Sequence, residues 1–202
     1  MIIDEESKVI FLHNPKCGGR FFRTVCAQNG LKTSLLHLGY YAEESNVDLA
    51  HVSLINLPRF VPDYKEYRII SFVRNPYNRF VSGLNMALCE NDKIKGIWEL
   101  YRGSIKDFCF HLLNLNYYEQ DSILRNQAVP WLMPQSNFAG KTGIVLRYES
   151  LVDWRFLFNV FRIPNTNVLR IKEDYVLDDE TKRMIRELYF DDEEIFCLYD
   201  KK

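Results

Sequence analysis

The sequence predicts an α/β protein: a parallel sheet with helices on both faces. Short, β-branched apolar runs recur at VIFLH (9–13), YRIISFV (67–73) and GIVLRY (143–148), with weaker ones at TSLLHL (33–38) and NVLRI (167–171), as buried strands do. Helical patterns lie between these runs, so strand and helix alternate, and the strands are expected to run parallel under the helices that connect them. At 202 residues, 47% hydrophobic and 26% charged, the chain suits a single domain spanning 1–202 with enough length to bury a core.

The elements follow in order. After VIFLH and a glycine-containing loop, RFFRTVCAQNG places Phe21, Phe22, Val25 and Cys26 at helical spacing and closes on Asn29-Gly30, a helix stop signal. After YRIISFV, Asn75-Pro76 opens the clearest helix. Tyr77, Phe80, Val81, Leu84, Ala87 and Leu88 form one stripe, and Asn78, Ser82 and Asn85 lie opposite. Pro76 suits the first helical position. Residues 92–128 predict helices around IWELY and IKDFCFHLL, followed by a polar stretch, NYYEQDSILRNQ. PWLMPQSNFAG, with two prolines, reads as a structured loop feeding GIVLRY. DDETKRMIRELYF predicts a last helix capped by Asp178, with Met184, Ile185, Leu188 and Tyr189 on one face.

Composition excludes several classes. A net charge of −1 argues against a general nucleic-acid binder, which carries a strong basic excess. No run approaches the roughly 18 apolar residues of a membrane span, and MIIDEESK is acidic where a signal peptide is basic. A cytoplasmic protein without a membrane span is expected. Five cysteines (17, 26, 89, 109, 197) are an odd number without CxxC spacing, so reduced, mostly buried thiols are expected rather than disulfides or zinc.

The chemistry starts at HNPKCGGRFF (13–22). The loop lies between a strand and a helix N-terminus, where open backbone N–H groups and the positive end of the helix dipole favour phosphate or sulfate. Glycines let the backbone approach the anion, and Lys16 adds a mobile charge. The pattern is not a Walker loop, because Lys16 precedes Gly18-Gly19 and Arg20 follows them. By itself the stretch is equally a tight turn with a solvated lysine. FVRNPYNRFVSGL (72–84) repeats the logic: an apolar strand, a charge at its carboxyl end, then a helix N-terminus. Ligands in open α/β sheets bind beyond the carboxyl ends of the strands, so Arg74 and Lys16 reach one crevice if their strands are neighbours.

Together these loops resemble those of sulfotransferases that use 3′-phosphoadenosine 5′-phosphosulfate (PAPS). HNPKCGGRFF is similar to the family's 5′-phosphosulfate loop and VRNPYNRFVSG to its 3′-phosphate motif. The resemblance continues through DLAHVSL (48–54), WLMPQSNF (131–138), VLRYESL (145–151) and ELYFDDEEIFCLY (187–199), in the order of the carbohydrate-type branch that includes uronyl 2-O-sulfotransferases. The glycine-rich C-terminal cofactor loop of cytosolic small-molecule sulfotransferases is absent from the sequence. Arg20 stands where the family has Thr or Ser, so a guanidinium contact or Thr24 must replace that hydroxyl, and Asn75 stands for the usual Asp.

The resemblance implies a P-loop-like parallel sheet and sulfuryl transfer from PAPS to a carbohydrate or glycoconjugate hydroxyl, releasing 3′,5′-ADP and using no metal. It assigns Pro15, Lys16, Cys17, Gly18, Gly19 and Arg20 to the phosphosulfate, Lys16 also to the leaving group, and Arg74 and Ser82 to the 3′-phosphate. His51 in DLAHVSL matches the stretch that carries the general base. By residue type alone His13, beside the loop, competes with it, while His37 and His111 lie among apolar neighbours. Trp131, Gln135 and Ser136 are candidates for the acceptor side, since aromatic faces and amides suit sugars. Arg79 is read as a support of its loop through an ion pair or as a second contact to the 3′-phosphate, Arg147 with Glu149 as a structural pair, and Cys17 as a packing substitute for Thr. Arg170 and Lys172 either close over the nucleotide or form a solvated pair. The rival classes are a magnesium-dependent nucleotide kinase and an inactive nucleotide- or glycan-binding module.

Overall fold

The structure is a computed structural model that describes residues 1–31, 41–42, 47–127, 130–140, 143–164 and 175–200. The expected strands at 33–38 and 167–171, with His37, Arg170 and Lys172, lie outside the described residues. The chain divides into two compact units, Met1–Arg74 with Asn137–Lys172 and Asn75–Ser136 with Glu173–Lys202.

The first unit is built on a four-stranded sheet of β1 (Ile2–Asp4), β2 (Val9–Leu12), β5 (Arg68–Val73) and β6 (Ile144–Arg147), in that order. β2, β5 and β6 run parallel, with Phe11 opposite Ile70 and Phe72 opposite Leu146. β1 departs from the expected all-parallel sheet: it pairs antiparallel with β2, Ile3 opposite Ile10. Only residues 5–8 join the two strands, too short a link for the crossover that a parallel pair needs. A separate two-stranded ladder joins β3 (Tyr41–Ala42) to β4 (Val47–Asp48).

Alternation along the strands sends side chains to two faces. Val9, Phe11, Ile70, Phe72 and Leu146 pack with Phe22, Val25 and Cys26 of α1 (Gly19–Gln28) and with Trp154, Leu157 and Phe158 of α7 (Leu151–Val160). Ile3, Ile10, Leu12 and Ile69 pack with Val52, Val61 and Leu57 of α2 (Leu57–Phe60). The sheet is therefore mixed but mostly parallel, and covered on both faces.

The second unit is helical: α3 (Pro76–Glu90), α4 (Asp92–Leu100), α5 (Ile105–Asn114), α6 (Tyr117–Leu124), α8 (Asp179–Leu188) and α9 (Glu193–Asp200). Phe80, Leu84, Phe108, Leu112, Ile185 and Leu188 form its core. Asn75 caps α3, its Oδ1 accepting from the amides of Tyr77 at 3.1 Å and Asn78 at 3.2 Å, and Asp178 caps α8 through the amide of Thr181 at 2.9 Å. α6 occupies the stretch read as merely polar, and a reciprocal capping box between Asn116 and Glu119 starts it. Among the described residues no helix is long and apolar enough to cross a membrane.

Candidate active site

The loop after β2 is held in a conformation that few sequences tolerate. Lys16 has φ of 66° and Gly18 of 84°, both left-handed, a region that is strained for lysine and open to glycine. A Cβ on Gly18 would lie 2.8 Å from the Trp154 ring and 2.9 Å from Tyr148; one on Gly19 would lie 1.8 Å from His13 Cδ2. Both glycines are thus required by close approach. α1 starts at Gly19 with neither a side-chain cap nor an acidic residue in its first turn, so the positive end of its dipole is not offset by its own sequence.

β2 and β5 are parallel neighbours, which meets the condition for Lys16 and Arg74 to share a crevice. Arg74 is 4% exposed. Its Nη1 donates to the Lys16 carbonyl at 3.3 Å, and its guanidinium lies 5.1 Å from the centre of the Tyr148 ring. Tyr148 is fixed in turn by its amide, which donates to Val73 O at 2.8 Å, and by its carbonyl, which accepts from Trp154 Nε1 at 2.8 Å. Burial pushes the Tyr148 phenol up from its usual range, and the nearby Arg74 charge opposes that shift. The sequence reading missed Tyr148 and Trp154 as parts of this platform, although both stand in or beside the VLRYESL stretch.

Two histidines meet beside the loop. His51 lies in the 3-10 turn Leu49–His51, and its Nδ1 is 2.9 Å from the His13 carbonyl oxygen. The rings tilt at 45° with 4.2 Å between centroids. A carbonyl only accepts, so Nδ1 of His51 carries the proton and, in the neutral ring, Nε2 carries the lone pair. His13 is buried, and burial holds its imidazole well below the usual range, with His51, the N-terminus, Arg23 and Arg20 adding to the shift. Its Nδ1 has no hydrogen-bond partner among the described residues. His111, by contrast, bonds the Tyr101 hydroxyl at 2.9 Å in the second unit.

The remaining predicted residues are distributed as follows. Pro15 and Cys17 are buried, and the Cys17 thiol donates to Pro15 O at 3.5 Å within the core, as a packing residue does. Arg20 is exposed. Thr24, offered as the replacement hydroxyl, donates to Arg20 O at 3.1 Å, a bond within its own helix. Arg147 pairs with Asp153 at 3.3 Å, where Ser150 caps α7 and brings Asp153 back to the strand end. In the second unit, Ser82 is half-buried on α3, whereas Asn78, on the face opposite the apolar stripe, is buried and accepts from the Tyr175 amide at 2.9 Å.

Trp131 and Gln135 are buried in that unit and Ser136 is half-buried. The amides of Gln135 and Ser136 donate to Asp192 at 2.9 and 2.8 Å. Burial pushes the Asp192 carboxyl up from its usual range, against those amide bonds and the charge of Arg79. Arg79 is fully buried and donates to Pro130 O at 3.5 Å, a backbone contact with the 130–136 segment. Asp192 and Tyr189 were not singled out as partners of this loop.

A strand, a glycine-bearing loop, a helix N-terminus without a side-chain cap and two cationic residues that follow adjacent parallel strands form an arrangement suited to a phosphate- or sulfate-bearing ligand. The chain matches the model of the sulfotransferase family over residues 1–154 and belongs to that family, whose enzymes transfer sulfuryl groups. Comparison with curated proteins and with solved structures gives no match.

Proposed function

We propose that this protein moves the sulfuryl group of PAPS to a hydroxyl of a carbohydrate or glycoconjugate, with His51 as general base. The observation that carries the proposal is the His51 Nδ1–H bond to the carbonyl of His13, which ties a tautomer-fixed imidazole to the anion loop. The carbohydrate class is supported by the ordered resemblance to the uronyl 2-O branch. Part of the same reading is a single sulfotransferase domain spanning both compact units, supported by a first unit made of two separate chain segments. A cytoplasmic site of action rests on the odd number of cysteines without paired spacing.

The residues of the loop fit a phosphosulfate: amides at the α1 N-terminus, glycines that permit close approach, and Lys16. PAPS supplies an already activated sulfuryl group. Lys16 offsets negative charge on the leaving side, where its value rises as that charge develops. Arg74 braces the loop and, with Ser82, is assigned to the 3′-phosphate. His51 accepts the acceptor's proton at Nε2 while Nδ1–H stays on the His13 carbonyl, so the ring keeps its orientation through the transfer.

Two measurements test this reading. Thermal shifts with 3′,5′-ADP, 5′-AMP and ATP-magnesium are expected to favour 3′,5′-ADP, and equal response to ATP-magnesium would support the kinase class instead. A sulfate-transfer assay from PAPS to non-sulfated uronic-acid polysaccharides is then expected to show turnover, and nucleotide binding without transfer to any glycan would leave an inactive binding module.

A further inference from the structure

The segment 130–136 forms no sheet or long helix, so its backbone groups need partners from elsewhere. Besides the local Met133 N–Pro130 O bond at 3.2 Å, they find them in α3 and in the C-terminal elements. The Asp192 carboxylate accepts two consecutive amides, Gln135 N at Oδ2 and Ser136 N at Oδ1, 2.9 and 2.8 Å away. The Tyr189 hydroxyl, one turn earlier, donates to Leu132 O at 2.6 Å. Arg79 donates to Pro130 O at 3.5 Å. The Trp131 carbonyl lies against Gly83 of α3, where a Cβ would stand 2.2 Å from its oxygen. Arg79, Tyr189 and Asp192 are 2–3% exposed.

A buried carboxylate is a costly way to cover two amides, and its value lies in direction: charge-assisted bonds are shorter and stronger than neutral ones. Here both oxygens engage successive N–H groups, which fixes the backbone on which Gln135 and Ser136 stand. We infer that Asp192, with Tyr189 and Arg79, positions the Trp131–Ser136 segment and thereby sets recognition of the acceptor. The inference rests on the reading of that segment as acceptor-facing. It assigns these three residues no contact with the substrate.

The test is Asp192→Asn, which keeps the shape of the side chain but replaces one acceptor oxygen with an NH2 that cannot receive an amide proton. Kinetics with PAPS and a non-sulfated uronic-acid polysaccharide, 3′,5′-ADP affinity, and amide exchange by peptide are compared with wild type. Expected are a roughly tenfold or greater rise in acceptor KM, 3′,5′-ADP affinity within about twofold, and faster exchange confined to peptides covering 130–138. Unchanged exchange in 130–138, or an unchanged acceptor KM, overturns the inference. So does faster exchange across the whole chain with a parallel loss of nucleotide affinity, which marks a merely structural role. If Asp192→Asn fails to fold, Tyr189→Phe removes only the hydroxyl to Leu132 and is expected to give the same localised pattern at smaller size. A wild-type protein that binds nucleotide yet transfers no sulfate fails the parent reading instead, and acceptor affinity measured directly with the same polysaccharide, together with exchange, then decides the positioning role.

Discussion

His51 Nδ1 lies 2.9 Å from the carbonyl oxygen of His13, and the two imidazoles face each other with 4.2 Å between their centroids. The segment that carries the anion loop therefore also holds the proposed base. The two histidines, competitors by residue type, occupy different positions: His13 supplies a carbonyl and a neutral ring, and His51 is left with the lone pair on Nε2.

From this follows the first prediction. His51→Ala lowers kcat by roughly 10²–10⁴-fold, the range for loss of a general base. The anion loop keeps its glycines, Lys16 and Arg74, so 3′,5′-ADP affinity stays near wild type, while loss of the buried ring and its bond to the His13 carbonyl lowers stability by about 1–3 kcal/mol. An active, folded His51→Ala alongside an inactive, folded His13→Ala would move the base to position 13.

His13 predicts a pH dependence of stability. Its folded pKa lies well below 6.5, while in the unfolded chain the ring titrates near 6.5. Between those values the unfolded state holds more protons, so stability rises with pH and is lost as pH falls below about 6.5, with a limiting slope of ~1.4 kcal/mol per pH unit for one proton. Urea unfolding at a series of pH values checks this in wild type and His13→Gln. The variant is expected to lose that part of the slope; parallel lines for the two proteins would assign it to other groups.

Gly19→Ala places a methyl 1.8 Å from His13 Cδ2, and the displaced ring is the one packed on His51. A destabilisation of about 1–3 kcal/mol is expected from overpacking, with a larger fall in kcat than in nucleotide affinity. Gly96 in α4 has nothing within 4 Å of an added Cβ, so Gly96→Ala is the contrasting case and should stabilise by about 0.4–1 kcal/mol. Equal unfolding midpoints for the two variants would remove the steric account of Gly19.

What the sequence disclosed was local. Periodicity and caps marked β2, β5, β6, α1, α3, α4, α5 and α8, because each signal lies within a few residues of the element it starts or stops. β1 was passed over because three residues carry no period, and α6 because its apolar spacing is weak, although the Asn116–Glu119 box was in view. Resemblance marked His51, Lys16 and Arg74 one by one. It could not show that His51 touches a residue 38 positions away, or that Asp192 grips amides 56 and 57 positions away. Such contacts follow from tertiary packing, and no stretch of sequence contains both partners. Arg147 gives the same lesson at short range: its partner depended on where Ser150 started a helix.

The last prediction separates the two cations of the site. Lys16 stands on the left-handed turn of the loop, and Arg74 lies beneath it with its guanidinium on the Lys16 carbonyl and over Tyr148. If Lys16 acts on charge that develops on the leaving group, Lys16→Ala depresses kcat while 3′,5′-ADP affinity changes little. Arg74→Ala instead weakens 3′,5′-ADP binding by roughly 1.5–3 kcal/mol, the range for a hydrogen bond to a charged group, and erases the preference for 3′,5′-ADP over 5′-AMP. Arg74→Lys keeps the charge but not the planar fork that bonds a carbonyl and stacks on a ring, so it is expected to restore less than half of the lost affinity. Calorimetry with both nucleotides and steady-state kinetics with PAPS provide the readouts. A Lys16→Ala enzyme altered only in KM for PAPS would reduce Lys16 to a binding residue, and an Arg74→Ala enzyme that still prefers 3′,5′-ADP would detach Arg74 from the 3′-phosphate and leave it as a brace of the loop.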